Sequence, residues 1–584
     1  MHAFIAISGL LALIPSTRAA ALTTRESKIS WSPCPDSNTT QCALLDVPMD
    51  YSDPSNNQTV SIFLRKFPAT VPESQRLGSI LTNPGGPGGS GSSFVAAGGQ
   101  DVSIVVDGRY DIIGFDPRGV NLTGPPTACF NVETKFLQRD YQTYLHGAPF
   151  PHIGGTGETD HVTKLAAIQA GHSAACEQNG NQDMLTSVGT VAVAKDMAKI
   201  VEALGEDGLN YWGYSYGTIL GATFAAIRPD LVKRMLLDGV SNSDSYFNDI
   251  LQWGRDGMVD THKTLSGFFS ECIAAGPKRC AFAAPPSGSN QTQTVQTLSK
   301  RVDALYAKLG AQPMIVADSR AGSGIIKAAD VQAIMLNLMY TPRYWSALAQ
   351  GIVELEQGYG SDFYTVFNFA YAQIIPQSYT NNIFNRSMQI YSTRESLYSI
   401  ACSDTSPLNI TIDGYTKYMQ EMGKISPVGE QWALLMGGCR GWAYRAKERY
   451  TGPWDSTKGL KKTKFPILFV SLDADPVTPL SSAIRMSNGF GKDSATLLVQ
   501  KGYGHCSIAH PSLCTVKNIH DYFVDGKVPA NGTHCTPEPG FLFSDNTTDS
   551  NPQARSVLSK RDSDLLGAVE RLHIARSKVT PPYI

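Results

Sequence analysis

Three short stretches hold the residue types that acyl-transfer chemistry needs. GYSYG (213–217) is a G-x-S-x-G pattern that follows a strand-like run and opens a helix-like one. In that setting a serine sits on a tight strand-to-helix turn with its hydroxyl exposed. Gly213 and Gly217 are then required, because side chains there would collide with neighbouring backbone. A serine hydroxyl is a weak nucleophile near neutral pH and needs a base that is itself oriented by a carboxylate. LDADPVTP (472–479) and GYGHCS (502–507) supply both, each just after a strand-like run. Ser215 is therefore the candidate nucleophile and His505 the candidate general base. Asp475, ahead of a proline turn, is the preferred carboxylate, with Asp473 and Asp238 as alternatives. The other histidines fall in helices, polar loops or the tail, where solvated or structural roles are expected.

A fourth stretch, NPGGPGGSG (83–91), demands a special backbone. Read from Gly86 it fits G-x-G-x-x-G (Gly86, Gly88, Gly91), the dinucleotide fingerprint. That reading needs a glycine-opened helix, whereas SSFVAAGGQ predicts a short one broken at Gly98-Gly99. Asp111, the ribose partner by count, falls at the start of the strand-like DIIGF, and no G-K-[ST] follows. The loop's place, after the third predicted strand and before the serine turn, suits a different task. There its N–H groups would face a transient oxyanion, with Gly85 or Gly86 as one donor and Tyr216 as the other.

The elements that must position these residues alternate along the chain. RYDIIGF (109–115), LNYWG (209–213), VKRMLLDGV (232–240), FPILFVSL (465–472) and SATLLVQ (494–500) read as strands. TVAVAKDMAKIVEALG (190–205) puts Val193, Met197, Ile200 and Leu204 on one helical face and stops at a glycine; YGTILGATFAAI (216–227) reads as a second helix. Alternating strand and helix predicts an α/β fold with a mostly parallel central sheet flanked by helices. Residues 241–400 are helical and aromatic-rich and read as an inserted helical cap. The expected division is a signal peptide at 1–20, core at 21–240, cap at 241–400, a second part of the core at 401–540, and a polar, disordered or removable tail at 541–584 holding a Lys560-Arg561 pair.

With 584 residues, 42% of them apolar, the chain can bury a large core. Its net charge of −2 and lack of a basic block exclude a nucleic-acid partner. An apolar stretch from Phe4 to Ile14 followed by Ala19, Ala20 and Ala21 reads as a cleaved signal peptide, too short to span a bilayer; no membrane partner is expected. Sequons at Asn38, Asn57, Asn121, Asn290, Asn385, Asn409, Asn531 and Asn546 fit secretion. So do 11 cysteines, several closely spaced (Cys34/Cys42, Cys272/Cys280, Cys506/Cys514) as in short disulfide loops. The odd count leaves one thiol over, and Cys506 is expected to pair with Cys514 or Cys535. No C-x-x-C or H-x-x-x-H spacing occurs, so no metal or other cofactor is implied.

In order, NPGGPGGSG, DPRGV (116–120), GYSYG, DPVTP (475–479) and the GHC histidine resemble the secreted tripeptidyl-aminopeptidase group of serine peptidases. The resemblance runs from about Cys34 to Cys535. Asn83-Pro84 stands where the sister proline iminopeptidases typically have histidine before GGPG. The resemblance implies an α/β-hydrolase fold with a TAP-like C-terminal region, the triad Ser215, Asp475 and His505, and exopeptidase activity at free N-termini. It also places ACSD (401–404) in the shared pattern, and a carboxylate near the cap would bind the substrate ammonium. Asp404, Glu354, Glu356 and Glu395 are the candidates. Three functions follow: an aminopeptidase on peptides, an esterase, lactonase or secondary-metabolite tailoring hydrolase on a small molecule, and a non-catalytic binding protein. A carboxylate reaching into the pocket favours the first, and a purely apolar pocket the second.

Overall fold

The computed structural model describes residues 27–53, 55–130, 142–143, 146–147, 158–372, 388–544 and 558–579. A sheet of ten strands runs through the chain: β1 (Ser32–Pro33), β2 (Gln41–Pro48), β3 (Thr59–Phe67), β4 (Gly78–Asn83), β5 (Tyr110–Phe115), β6 (Leu209–Tyr214), β7 (Val232–Asp238), β10 (Ile467–Ala474), β11 (Ala495–Tyr503) and β12 (Thr533–Cys535). Its spatial order is β1-β2-β3-β5-β4-β6-β7-β10-β11-β12. The first four in that order pair antiparallel, and every pairing from β5 onward is parallel. The central parallel strands β6 and β10 are buried along nearly their whole length and mostly apolar, because both faces are covered. Alternate residues feed two cores. Ile80, Trp212, Leu236 and Leu468 face one, while Leu81, Tyr211, Leu237 and Phe469 face the other.

Helices follow the strands as the sequence pattern requires. The first, α1 (Gly91–Val105), starts at Ser90, whose hydroxyl accepts the Ser93 N–H at 3.0 Å. Helix α2 (Thr190–Leu204) ends at Gly205 in the left-handed region, and α3 (Tyr216–Ile227) leaves the sheet from β6. Contrary to the expected break, α1 continues through Gly98-Gly99. The two glycines are there for close packing: a Cβ on Gly98 would lie 3.1 Å from Leu572 and Ala575, and one on Gly99 2.9 Å from Val95.

Between β7 and β10 lies the predicted helical layer. It includes α4 (Thr261–Ala275), α5 (Val295–Ala311), α6 (Ala328–Tyr340) and α7 (Trp345–Gln357), with a small antiparallel pair, β8 (Met314–Val316) and β9 (Gly324–Ile326). The boundary expected at residue 400 moves. ACSD closes a helix, Met388–Asp404, and α8 (Ile412–Ile425) and α9 (Gly429–Gly437) continue the layer, packing on Ile250–Met258 through Tyr418 and Met436. The sheet resumes only at Ile467.

The C-terminal expectation also changes. Helix α10 (Leu480–Phe490) and helix α11 (Leu513–Val524) complete the second block, and then residues Lys560–Val579 form a helix, α12. Leu565, Leu566, Leu572 and Ala575 of α12 are buried against α1 and α11, so this part of the tail belongs to the core. Its period was hidden by charged residues that share the helix with this apolar stripe. The signal peptide expected at residues 1–20 lies outside the described residues.

Candidate active site

Ser215 occupies the turn between β6 and α3 with φ 56 and ψ −122, a left-handed φ that a serine adopts only when its surroundings impose it. The turn is tight: a Cβ on Gly217 would lie 2.9 Å from the Asn83 carbonyl oxygen. The Ser215 N–H donates to the Asp238 carbonyl at 3.0 Å, and its own carbonyl accepts from the Thr218 N–H and hydroxyl at 2.8 and 2.6 Å. Among the described residues the Ser215 hydroxyl makes no hydrogen bond, which is common before substrate arrives.

The ends of β10 and β11 bring Asp475 and His505 together. His505 Nδ1 lies 3.1 and 3.0 Å from the two Asp475 oxygens, with both residues buried. The same carboxylate accepts from the Val477, Thr478 and Cys506 N–H groups and from the Thr478 hydroxyl. Burial works to raise the Asp475 carboxyl, but the neighbouring imidazole and these donors outweigh it, and the net direction is down. Burial lowers His505, Asp475 opposes that, and the Arg576 guanidinium adds to it; the net direction is again down. The imidazole is thus kept neutral with Nδ1 on the carboxylate, leaving Nε2 for a proton from a nucleophile. The Tyr340 ring meets His505 edge-on at 4.9 Å, and the His505 N–H donates to the Tyr340 carbonyl.

Asp238 joins the two halves. Its carbonyl takes the Ser215 N–H, while its carboxylate takes the Ser507 N–H and hydroxyl at 2.8 and 2.6 Å. That use, with burial pushing the carboxyl up to about 6, removes Asp238 as an alternative partner for His505. Asp473 likewise receives the Gly502 N–H at 2.9 Å and does not meet the histidine.

The glycine loop folds over Ser215. Gly85 has φ +107, and a Cβ there would sit 2.9 Å from the Ser215 Cβ and 2.8 Å from the Tyr214 carbonyl. Its N–H, however, donates to Asn83 Oδ1 at 3.0 Å. Of the two glycines expected as donors, Gly85 is therefore engaged elsewhere, and the Gly86 N–H has no acceptor among the described residues. The Tyr216 N–H stands at the first turn of α3, directly after Ser215. Gly86 and Tyr216 are thus the two expected oxyanion donors that remain beside Ser215. Beside Gly86 and Pro87 lies a small apolar pocket walled by Ile250, Trp253, Tyr398 and Met436.

The four carboxylates considered for an ammonium are occupied. Asp404 is fully buried and accepts from the Thr190 N–H and hydroxyl and the Tyr246 hydroxyl; burial pushes it up to about 6. Thr190 in turn meets the Tyr216 hydroxyl at 2.6 Å, so Asp404 braces the serine turn from behind. Glu395 is fully buried and accepts the Cys129 N–H. On α7, Glu354 accepts from Gln350 and Glu356 pairs with Arg301. Asp111 accepts from Ala69 and Arg76 at a strand start, a structural role.

Disulfides join Cys34–Cys42, Cys129–Cys176, Cys272–Cys280, Cys402–Cys439 and Cys514–Cys535. Cys506 is instead a free, buried thiol, packed against Gly239 behind the serine turn. Asn121 is buried, with its amide donating to Ser90 and Asp116, so it is no glycan acceptor. Asn38, Asn57, Asn290, Asn409 and Asn531 are exposed, and Asn385 and Asn546 lie outside the described residues. Sequence reasoning left Thr478 and Arg576 unassigned. Thr478 was within reach as part of DPVTP; Arg576 had no signal, because it lies far along the chain from the loop it touches.

The family profile described as alpha/beta hydrolase fold matches residues 78–276, and that described as TAP-like protein matches residues 425–535. Serine protease Hip1 of Mycobacterium tuberculosis is 26% identical over 521 residues, covering 87% of this chain and 91% of that protein. Carboxylesterase B of the same species is 26% identical over 521 residues, covering 87% and 90%. Tripeptidyl aminopeptidase of Streptomyces lividans is 35% identical over 204 residues, 35% of each chain.

Proposed function

We propose that this chain, which belongs to the TAP-like serine hydrolases of the α/β-hydrolase superfamily, is a secreted exopeptidase that releases short peptides or residues from free N-termini. The reading rests chiefly on one observation: the Asp475–His505 pair and the strained Ser215 turn are joined through Asp238 at the carboxyl ends of neighbouring parallel strands. His505 Nε2 takes the Ser215 proton as Oγ bonds to the scissile carbonyl carbon. The oxyanion is received by the Gly86 and Tyr216 N–H groups. The imidazolium then protonates the leaving amine as the C–N bond breaks, and water activated by the same histidine releases the acyl group.

The named serine protease and tripeptidyl aminopeptidase relatives support a peptide substrate. Five disulfides support an oxidising compartment, and no helix among the described residues is long and apolar enough to cross a membrane. The apolar pocket at Gly86 and the carboxylesterase relative favour a second reading, an esterase on a small molecule. The two are separated by free and N-blocked tripeptide p-nitroanilides assayed beside p-nitrophenyl esters. The exopeptidase reading expects free peptides to be cleaved at least about tenfold faster than blocked ones. Equal rates, or hydrolysis of esters alone, overturn it.

A further inference from the structure

We propose that Arg576, on the C-terminal helix α12, is a positioning residue that aims the oxyanion-receiving loop, which makes α12 a working part of the site. The inference rests on the acyl-transfer reading above.

The geometry starts from the loop's peptide units. Arg576 is 6% exposed, and its Nε donates to the Pro84 carbonyl at 2.8 Å, a charge-assisted bond across 492 residues of sequence. The peptide joining Pro84 and Gly85 is planar and trans, so its C=O and N–H point in opposite directions. Arg576 holds the first and Asn83 Oδ1 holds the second, at 3.0 Å, so this unit is clamped at both ends. The next unit has its Gly85 carbonyl bound by the Gly89 N–H at 3.1 Å, which points the Gly86 N–H the other way. Gly85 itself is sandwiched: the position of its Cβ would be 2.9 Å from the Ser215 Cβ and 3.5 Å from Arg576 Nη2. The guanidinium also lies over the Tyr214 ring, 5.6 Å from its centre, and so touches the residue before the serine.

Charge follows geometry. A buried cation behind the loop favours negative charge developing on the substrate oxygen and opposes a resting imidazolium on His505. The groups that face His505 are Asp475 and Thr478 from the β10 loop, the Tyr340 ring from α6, Cys506 beside it, and Arg576 and His573 from α12. Among the described residues neither nitrogen of the His573 ring has a hydrogen-bond partner, and burial takes it down to about 3, so Arg576 is the cation that α12 brings to the site near neutral pH.

The test compares full-length parent, Ser215→Ala, Arg576→Met and Arg576→Lys on p-nitrophenyl ester hydrolysis across the acid limb of the pH profile. Arg576→Met is expected to lower kcat by about 10- to 100-fold with KM within about a factor of two. It should also move the acid limb of kcat/KM to higher pH, since His505 loses a neighbouring cation. Arg576→Lys should keep the limb in place and restore part of kcat; if the Met variant does not fold, reduced kcat in the Lys variant with an unmoved limb supports the proposal. Unchanged kcat in the folded variants, or a loss that only tracks the folded fraction with the limb unmoved in Arg576→Met, overturns it. A fully active Ser215→Ala would instead sink the acyl-transfer reading itself.

Discussion

Asp475 concentrates the site's chemistry in one carboxylate. Burial works to raise its carboxyl, while the His505 imidazole and the donors from Cys506, Val477 and Thr478 carry the net direction down, favouring the carboxylate that orients His505. Asp475→Asn should lower kcat on the order of 10³- to 10⁴-fold by letting the imidazole take the wrong tautomer. The sign of its pH effect is fixed. His505 sits below the ordinary histidine value of 6.5, so activity persists until the pH falls through that lowered value. Removing Asp475 takes away the influence that raises His505, and the acid limb of kcat/KM should move lower still. A pH profile of the Asn variant checks this, and a limb displaced upward would contradict it. A second residue-scale prediction concerns DPRGV, which the sequence offered only as part of a family pattern. Arg118 is fully buried; it pairs with Asp196 at 2.6 Å and donates to the Pro48, Met49 and Ser187 carbonyls. Arg118→Met should cost about 3 to 5 kcal/mol in denaturant unfolding by leaving Asp196 buried without its cation. A loss below about 1 kcal/mol would mean that Asp196 finds another partner.

Strands β5, β6, β7, β10 and β11 were legible as apolar runs, and helices α2 and α3 as longer segments bounded by a glycine or a turn, whereas the three-residue β12 was too short to show. Ser215, His505 and Asp475 were legible because each follows a strand. What was missed depends on contacts remote in sequence. Gly98-Gly99 looked like a helix break, yet Gly98 is what lets α1 and α12 approach closely, while Gly99 packs α1 against Phe67 of β3. Gly85 looked like an oxyanion donor until the Asn83 side chain, two residues away, was seen to take its N–H. Asp404 looked like a substrate ligand because it lies where the cap returns, but the fold turns it inward onto Thr190 and Tyr246. Helix α12 supplies a prediction at this scale. Gly98→Leu should force α12 away from α1, destabilise the fold by about 1 to 3 kcal/mol, and lower kcat as Arg576 is displaced with its helix. Unchanged stability and kcat would mean that the two helices do not need this close approach.

At the scale of the whole molecule, the sheet serves as a rigid plate whose carboxyl edge gathers residues from positions 83 to 505, while the last helix closes the site from behind. Cys514–Cys535 ties α11 to the edge strand β12 of this plate, and other disulfides brace the helical layer itself. Cys402–Cys439 fastens the helix that carries Asp404 to the turn after α9, and replacing both cysteines by alanine should cost about 2 to 4 kcal/mol in thermal or denaturant unfolding. An unshifted midpoint would show that packing alone holds that corner. Ser215 is the residue on which the acyl-transfer reading depends. Its most direct test is to treat the intact protein with a fluorophosphonate, locate the adduct by peptide mass spectrometry, and measure turnover of Ser215→Ala on the same substrates. The adduct is expected on Ser215, with turnover in the variant reduced by about 10⁴- to 10⁶-fold. An adduct elsewhere, or near-normal hydrolysis without the Ser215 hydroxyl, would contradict the account.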